Sequence, residues 1–183
     1  MKRNLFGGAM TIFLPEDVLD ASKVRQIPDN QEVFTHSKTD QSMIIEILEY
    51  VNEPDQMAIR THYGDIAGCN DAATDEDTQI LHVEQIPKDQ VGMSQCQSAW
   101  FIAGKQKVAK FHESVKNEVN IHMAVFRLQQ YDSDILITFN DPVAINPDSS
   151  SHGAIPVSTQ PWSIEQFRNS VMSLEIVNEE LFG

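Results

Sequence analysis

The sequence has 183 residues, of which 41% are apolar and 22% charged, which is typical of a globular protein of about one domain. It carries 27 Asp and Glu against 13 Lys and Arg, a formal net charge of −14. This charge argues against nucleic acid or an anionic membrane as a partner, because their phosphates would be repelled. Two cysteines, Cys69 and Cys96, are too few for a disulfide framework and indicate reduced, intracellular thiols. We therefore expect a single domain over 1–183.

The negative charge is concentrated in one part of the chain. Residues 15–90 hold 17 acidic and 5 basic side chains, a net charge of −12. Two interpretations stay open: a solvated surface that keeps the protein soluble, or a surface that binds a basic partner.

The N-terminal segment resembles a signal peptide only superficially, because Gly7 and Gly8 interrupt its apolar part and no cleavage site follows. Its alternation of apolar residues predicts a strand over Ala9–Leu14, and a second strand is expected at Gln31–His36. No stretch approaches the ~20 apolar residues that a membrane span requires, so we expect no membrane insertion.

Between Asp40 and Val51 the apolar pattern changes to a helical period. Ile44, Ile47, Leu48 and Val51 fall at positions i, i+3, i+4 and i+7, which predicts an amphipathic helix that Pro54 ends. A second helix is expected over Asp55–Ala67.

Two-residue alternation predicts four further strands, Gln79–Ile86, Ser98–Val108, Glu118–Leu128 and Asp134–Asn140. The connections Ala109–Asn117 and Gln129–Ser133 are too short for crossover helices, so these neighbours should be antiparallel. The fold class predicted is α+β, an antiparallel sheet of about six strands flanked by helices.

The C-terminal part begins with a predicted irregular loop over Asp141–Pro161, which is rich in proline and serine. A last helix follows, with Ser163 as N-cap and Gln166 completing a capping box. Its expected buried residues are Ile164, Phe167, Val171 and Leu174.

Motifs for common site chemistry are missing from the sequence. Gly104-Lys105 has no Ser or Thr after it, so it is not a phosphate-binding P-loop. Gly92-Met93-Ser94-Gln95-Cys96 breaks the nucleophile pattern GxSxG at its last position. The six histidines show no i, i+4 pair for zinc. We expect no metal, no cofactor and no active site of the protein's own.

The predicted helix over Asp40–Val51 would place Glu46 and Glu49, with Glu53 just beyond its end, on one face opposite the apolar stripe. Such a stripe of negative charges favours a basic partner, although a plain solvent-exposed face is an equally open interpretation. Two more carboxylates, Asp29 and Glu32, stand at the entrance to a strand, where Asp29 is also typical of a turn.

Several blocks in order along the chain resemble the Mog family, the Ran guanine-nucleotide release factors. They are Leu5-Phe6-Gly7-Gly8-Ala9, Leu19-Asp20-Ala21-Ser22 with Arg25, Pro28-Asp29-Asn30-Gln31-Glu32-Val33, Asp40-Gln41-Ser42, Ile44-Ile45-Glu46-Ile47-Leu48-Glu49, Leu128-Gln129-Gln130-Tyr131, Asp134-Ile135-Leu136 and Leu181-Phe182-Gly183. The resemblance implies a fold shared with the PsbP proteins, an antiparallel sheet between helices. It also implies a protein that binds the small GTPase Ran, promotes release of its nucleotide and supports nuclear import.

The expected Ran-binding residues are Glu46, Glu49, Asp29, Glu32, Glu53 and Asp40. Of these, Glu46 and Glu49 are carried over from the family, and Asp29 and Glu32 share their spacing of three residues. Nothing in the sequence demands more than a monomer, and a mass of 20.6 kDa permits passage through nuclear pores, so we expect a monomer in the nucleus and the cytoplasm. Three alternatives stay open: an acidic adaptor for another basic protein or for membrane-protein trafficking, a PsbP-like accessory protein, and an undetected hydrolase.

Overall fold

The computed structural model describes residues 1–109, 116–144 and 160–183. Within these ranges the chain forms ten β-strands and two α-helices. In chain order they are β1 (Lys2–Leu5), β2 (Met10–Phe13), β3 (Val18–Asp20), β4 (Gln31–His36), β5 (Ser42–Glu49), α1 (Asp55–Cys69), β6 (Thr78–Ile86), β7 (Ser98–Ala109), β8 (Lys116–Leu128), β9 (Ser133–Ala144), α2 (Ile164–Met172) and β10 (Glu175–Ile176).

The strands form a large sheet of seven strands, in the order β3-β4-β5-β9-β8-β7-β6, and a small sheet of three, β1-β2-β10. All of the pairings are antiparallel. The predicted α+β class is confirmed, and so is the antiparallel pairing of β7 with β8 and of β8 with β9. The large sheet has one strand more than expected, and the predicted N-terminal strand lies in the small sheet instead.

Each face of the large sheet is covered by different elements. On one face, Ile59 and Tyr63 of α1 pack against alternate residues of the central strands, among them Ile102, Ile121 and Val125. On the other face, α2 and the small sheet enclose a second core around Phe126, Phe139 and Phe167. The central strands are therefore apolar on both sides.

The helix predicted over Asp40–Val51 is wrong, because Ser42–Glu49 is strand β5. This strand lies between β4 and β9, where Met43 and Ile45 enter one core while Leu48 packs in the other. A strand covered on both faces has an almost continuous apolar sequence, and its spacing also contains the helical period. The run of β-branched isoleucines favours the strand.

The other expected elements are confirmed with small changes in their bounds. Helix α1 begins at Asp55, as predicted, and ends two residues later than expected, at Cys69. Strand β9 continues four residues into the predicted loop, to Ala144. Most of that loop, residues 145–159, lies outside the described residues.

The capping box of α2 is confirmed, since Ser163 Oγ accepts from the backbone N–H of Gln166 and the side chain of Gln166 accepts from the backbone N–H of Ser163. Phe167 and Val171 are buried as expected, and Leu174 is buried just beyond the end of the helix. Ile164 is 42% exposed, which corrects its expected burial. As the first residue of the helix, it lies beyond the edge of the packed face.

In the described part of the chain, neither helix is long and apolar enough to cross a membrane.

Candidate partner-binding surface

Five of the six predicted binding residues cluster where β4 begins and β5 ends. We call this set, Asp29, Glu32, Glu46, Glu49 and Glu53, the acidic edge. Its framework is the β4–β5 pair, in which Gln31 is opposite Glu46 and Glu32 is opposite Ile45. The sheet register, not a helix face, places these residues at one end of the β4–β5 pair.

The sixth residue, Asp40, lies at the other end of β5, in the turn that follows β4. Nine residue-to-residue steps of nearly extended chain lead from Asp40 to Glu49, which corresponds to about 30 Å. The structure thus does not bring Asp40 to the acidic edge.

The expected single face for Glu46, Glu49 and Glu53 is also wrong. Successive side chains of a strand point to opposite faces, so residues 46 and 49 of β5 are on different sides of the sheet. Glu46 is on the side of α1, and Glu49 is on the side of the small sheet. Glu53 lies in the connector that leads to α1.

Glu46 is half-buried and takes part in the pairing of β4 with β5. Its Oε1 accepts a hydrogen bond of 2.6 Å from Gln31 Nε2 on the opposite strand. Burial raises the pKa of the Glu46 carboxyl above the usual value, while the bond from Gln31 and the nearby His62 act in the opposite direction.

Glu32 is likewise engaged within the protein. Its Oε1 accepts a hydrogen bond of 2.6 Å from the backbone N–H of Phe6. Phe6 has a positive φ of 49° and begins the tight turn Phe6–Gly8. Glu32 therefore anchors that turn, and its carboxylate has less freedom to meet a partner.

Asp29 and Glu49 are exposed, and their carboxylates make no hydrogen bond or ion pair to any residue that the structure describes. The turn at Asp29 is held next to β5, because Ile47 N donates to Asn30 O at 3.0 Å and Asn30 Nδ2 donates to Ile47 O at 3.1 Å. These bonds place the turn that carries Asp29 near the end of β5, where Glu49 is the last residue. These two carboxylates are the best placed to receive basic side chains of a partner.

A cleft of about 450 Å³ adjoins the acidic edge. It is lined by Glu49, Tyr50, Asn52, Gln129 and Asp132. Asp132 adopts a left-handed conformation with φ 46° at the turn between β8 and β9, and its carbonyl oxygen accepts from the N–H of Tyr50 at 2.9 Å.

Beneath this cleft is a buried ionic cluster that sequence analysis missed. Arg127 and Asp134, both fully buried, are joined by a hydrogen bond of 3.0 Å from Nε to Oδ1. Asp134 Oδ2 lies 2.8 Å from His62 Nε2, and Asp55 Oδ1 accepts from Arg127 Nη1 at 3.1 Å. A signal was available: Arg127 continues the alternation of Val119, Ile121, Met123 and Val125, so a charged residue occupies a core position.

Neither Ser94 nor Cys96 of the broken nucleophile pattern is activated in the structure. Burial raises the pKa of the Cys96 thiol to about 11, so this thiol stays protonated and is a poor nucleophile at neutral pH. Ser94, in the broken nucleophile pattern, has its hydroxyl 3.2 Å from Gln95 Oε1 and has no histidine partner among the described residues. No group of three or more potential metal ligands occurs in the part of the chain that the structure describes.

Comparison with known proteins relates the chain to relatives over its whole length. Residues 3–142 match the family model described as "Ran-interacting Mog1 protein". A protein of Danio rerio named Ran guanine nucleotide release factor is 48% identical over 184 residues, which cover 100% of each chain. The protein of that name from Homo sapiens is 40% identical over 185 residues, covering 98% of this chain and 95% of its own.

Similarity extends to fungal proteins and to a solved structure. The nuclear import protein MOG1 of Saccharomyces cerevisiae is 31% identical over 192 residues, covering 98% of this chain and 83% of its own. A crystal structure of the Saccharomyces cerevisiae Ran-binding protein Mog1p has a TM-score of 0.74 at 22% identity and covers 100% of this chain and 98% of that chain. This structural likeness shows a common fold.

Proposed function

Because the chain belongs to the family of Ran-interacting Mog1 proteins, we propose that it binds the small GTPase Ran and promotes release of its guanine nucleotide. The observation that carries the proposal is the match over the full length of both chains, at 48% identity, to a relative named for this activity. The proposed role is that of a regulator in nuclear protein import, without an active site of its own.

Nucleotide release follows from preferential binding and needs no bond chemistry. A protein that binds the opened, nucleotide-free GTPase more tightly than the loaded form must weaken nucleotide affinity by the same factor. Each tenfold acceleration of release corresponds to about 1.4 kcal/mol of preferential binding to the transition state for dissociation.

Within the acidic edge, we assign direct contact with Ran to Asp29 and Glu49. Both are exposed and have no partner in the described part of the chain, so neither must break an internal bond to meet a basic side chain. Glu32 and Glu46 instead hold the turn and the strand pair that carry them. Glu53 accepts a hydrogen bond of 2.9 Å from Thr61 Oγ1 and is a third candidate for contact with Ran.

We also propose a monomer that acts in the nucleus and the cytoplasm. A mass of 20.6 kDa supports passage through nuclear pores without a targeting signal. The role of a nuclear import protein, by which the fungal relatives are named, is consistent with this distribution.

The direct test is release of a fluorescent guanine nucleotide from purified Ran. The protein should accelerate release, and the double variant Asp29→Asn/Glu49→Gln should reduce the acceleration about tenfold or more, because both removed charges face the partner. A matched control is Asp75→Asn/Glu76→Gln, which removes an exposed Asp and an exposed Glu from the loop after α1 and should leave release unchanged.

Two results would count against the proposal. If the protein binds Ran without accelerating release, the adaptor alternative replaces the release factor. If both double variants weaken binding equally, the effect is one of net charge, and the assignment to Asp29 and Glu49 is wrong.

A further inference from the structure

The connector between β5 and α1 has no regular secondary structure over residues 50–54. It nevertheless carries Glu53 and lines the cleft with Tyr50 and Asn52, directly after Glu49. Something other than a helix or strand ladder must fix its shape.

A single buried side chain, that of Arg127, contacts the connector at three points. The guanidinium of Arg127 donates to the carbonyl oxygen of Val51 through Nη2 and to that of Glu53 through Nη1, the second at 3.3 Å. It also lies over the ring of Tyr50, with 4.2 Å between Cζ and the ring centroid. Arg127 thus contacts three of the five connector residues.

The guanidinium is itself held by carboxylates on both sides. Asp134 accepts from Nε at 3.0 Å, and Asp55, at the start of α1, accepts from Nη1 at 3.1 Å. The other oxygen of Asp134 accepts from the backbone N–H of Val51 at 3.0 Å. Arg127 and Asp134 are opposite each other in the β8–β9 hairpin. Together they hydrogen-bond both backbone groups of Val51: Asp134 accepts from its N–H, and Arg127 donates to its C=O.

We propose that Arg127 is a positioning residue for Ran binding, which fixes the β5–α1 connector from below and so orients Glu49 and Glu53 at the surface. This inference rests on the proposed function. Arg127 is fully buried and touches no partner itself. Only a planar fork with several donors reaches two carbonyls and two carboxylates together, so a lysine keeps the charge but loses the arrangement.

The test compares Arg127→Lys with Val171→Ala, a cavity variant in α2 on the opposite face of the sheet. Both should lower the melting temperature, because each disturbs a fully buried side chain. Only Arg127→Lys should weaken Ran binding in calorimetry, on the order of tenfold. It should also speed amide hydrogen exchange at residues 50–53, while residues 135–139 of β9 stay protected.

A double-mutant cycle connects Arg127 to the surface acids. In the background Glu49→Gln/Glu53→Gln, adding Arg127→Lys should cause little further loss of affinity, since the groups that it orients are already neutral. If Arg127→Lys does not fold, Asp55→Asn takes its place, with a smaller loss of affinity and the same faster exchange, because it loosens only one partner of the guanidinium.

The outcomes separate this inference from the function on which it rests. Equal Ran affinity of Arg127→Lys and wild type, or fully additive losses in the cycle, overturns the positioning role alone. If the wild-type protein fails to bind Ran, both the proposed function and the positioning role are wrong.

Discussion

Glu46 and Glu49 are three residues apart on one strand, yet the sheet gives them different surroundings. The side chain of Glu46, on β5, is half-buried on the side of α1 and accepts a hydrogen bond from Gln31 of β4. Glu49 is exposed to solvent. An ionised carboxylate that is half-buried lacks part of the hydration that an exposed one keeps. Stability should therefore respond to Glu46, and partner binding to Glu49.

Glu46→Gln should raise the free energy of unfolding at about pH 7. The reason is that burial raises the pKa of Glu46 in the folded state, so the ionised carboxylate costs stability above its unfolded pKa, whereas glutamine still accepts from Gln31. Below the unfolded pKa the carboxyl is protonated in both states, and the gain should disappear. Denaturant titrations at about pH 7 and about pH 3.5 measure the change in unfolding free energy above and below the unfolded pKa.

The matched control for this prediction is Glu49→Gln. Because Glu49 is exposed, its replacement should leave the unfolding free energy within about 0.5 kcal/mol at either pH. A gain for Glu46→Gln that persists at the acidic pH would mean that burial of charge is not its cause.

At the scale of elements, sequence periodicity predicted most strands and both helices but assigned one central strand, β5, to a helix. Strands β8 and β9 were predicted from alternation and are strands in the structure, although part of each is buried on both faces, and α2 was predicted from its capping box. Strand β5 was mistaken for a helix because its almost continuous apolar sequence also contains the spacing i, i+3, i+4 and i+7. The error carried over to the site, since a helix aligns residues 46, 49 and 53 and a strand does not.

The packing of α1 on the large sheet depends on Gly104 in β7. A Cβ atom at this position would collide with the carbonyl oxygen of Gln79 and the hydroxyl of Tyr63. Tyr63 is fully buried in α1, so it has little room to move. Gly104→Ala should cost about 2 kcal/mol of unfolding free energy, measured by denaturant titration.

Gly64, in the same helix, is the matched control for that substitution. A Cβ atom there meets nothing within 4 Å. Gly64→Ala should stabilise the protein by up to about 1 kcal/mol, because alanine is the better helix former. Equal effects of the two substitutions would refute the close approach of α1 to β7.

Charge distribution is a property of the whole molecule. A net charge of −14, with −12 of it between residues 15 and 90, surrounds the acidic edge with a negative field. Such a field attracts a basic partner over distances longer than any single contact.

Association with Ran should therefore be sensitive to salt. Raising NaCl from about 50 mM to about 300 mM should slow association about tenfold with a much smaller change in dissociation, because screening acts on the approach of the two proteins. Stopped-flow mixing measures both rates. An association rate that does not depend on salt would show that the acidic field does not steer binding.

The sequence by itself determined the fold class, the approximate position of most elements, the acidic character and the family resemblance, because these follow from composition, local periodicity and ordered motifs. Tertiary structure alone decided that residues 42–49 form a central strand, that Glu46 and Glu49 face opposite sides, and that Arg127 holds the connector beneath the surface acids. These features depend on contacts between segments distant along the chain. Burial on both faces and buried ion pairs arise only when those segments meet.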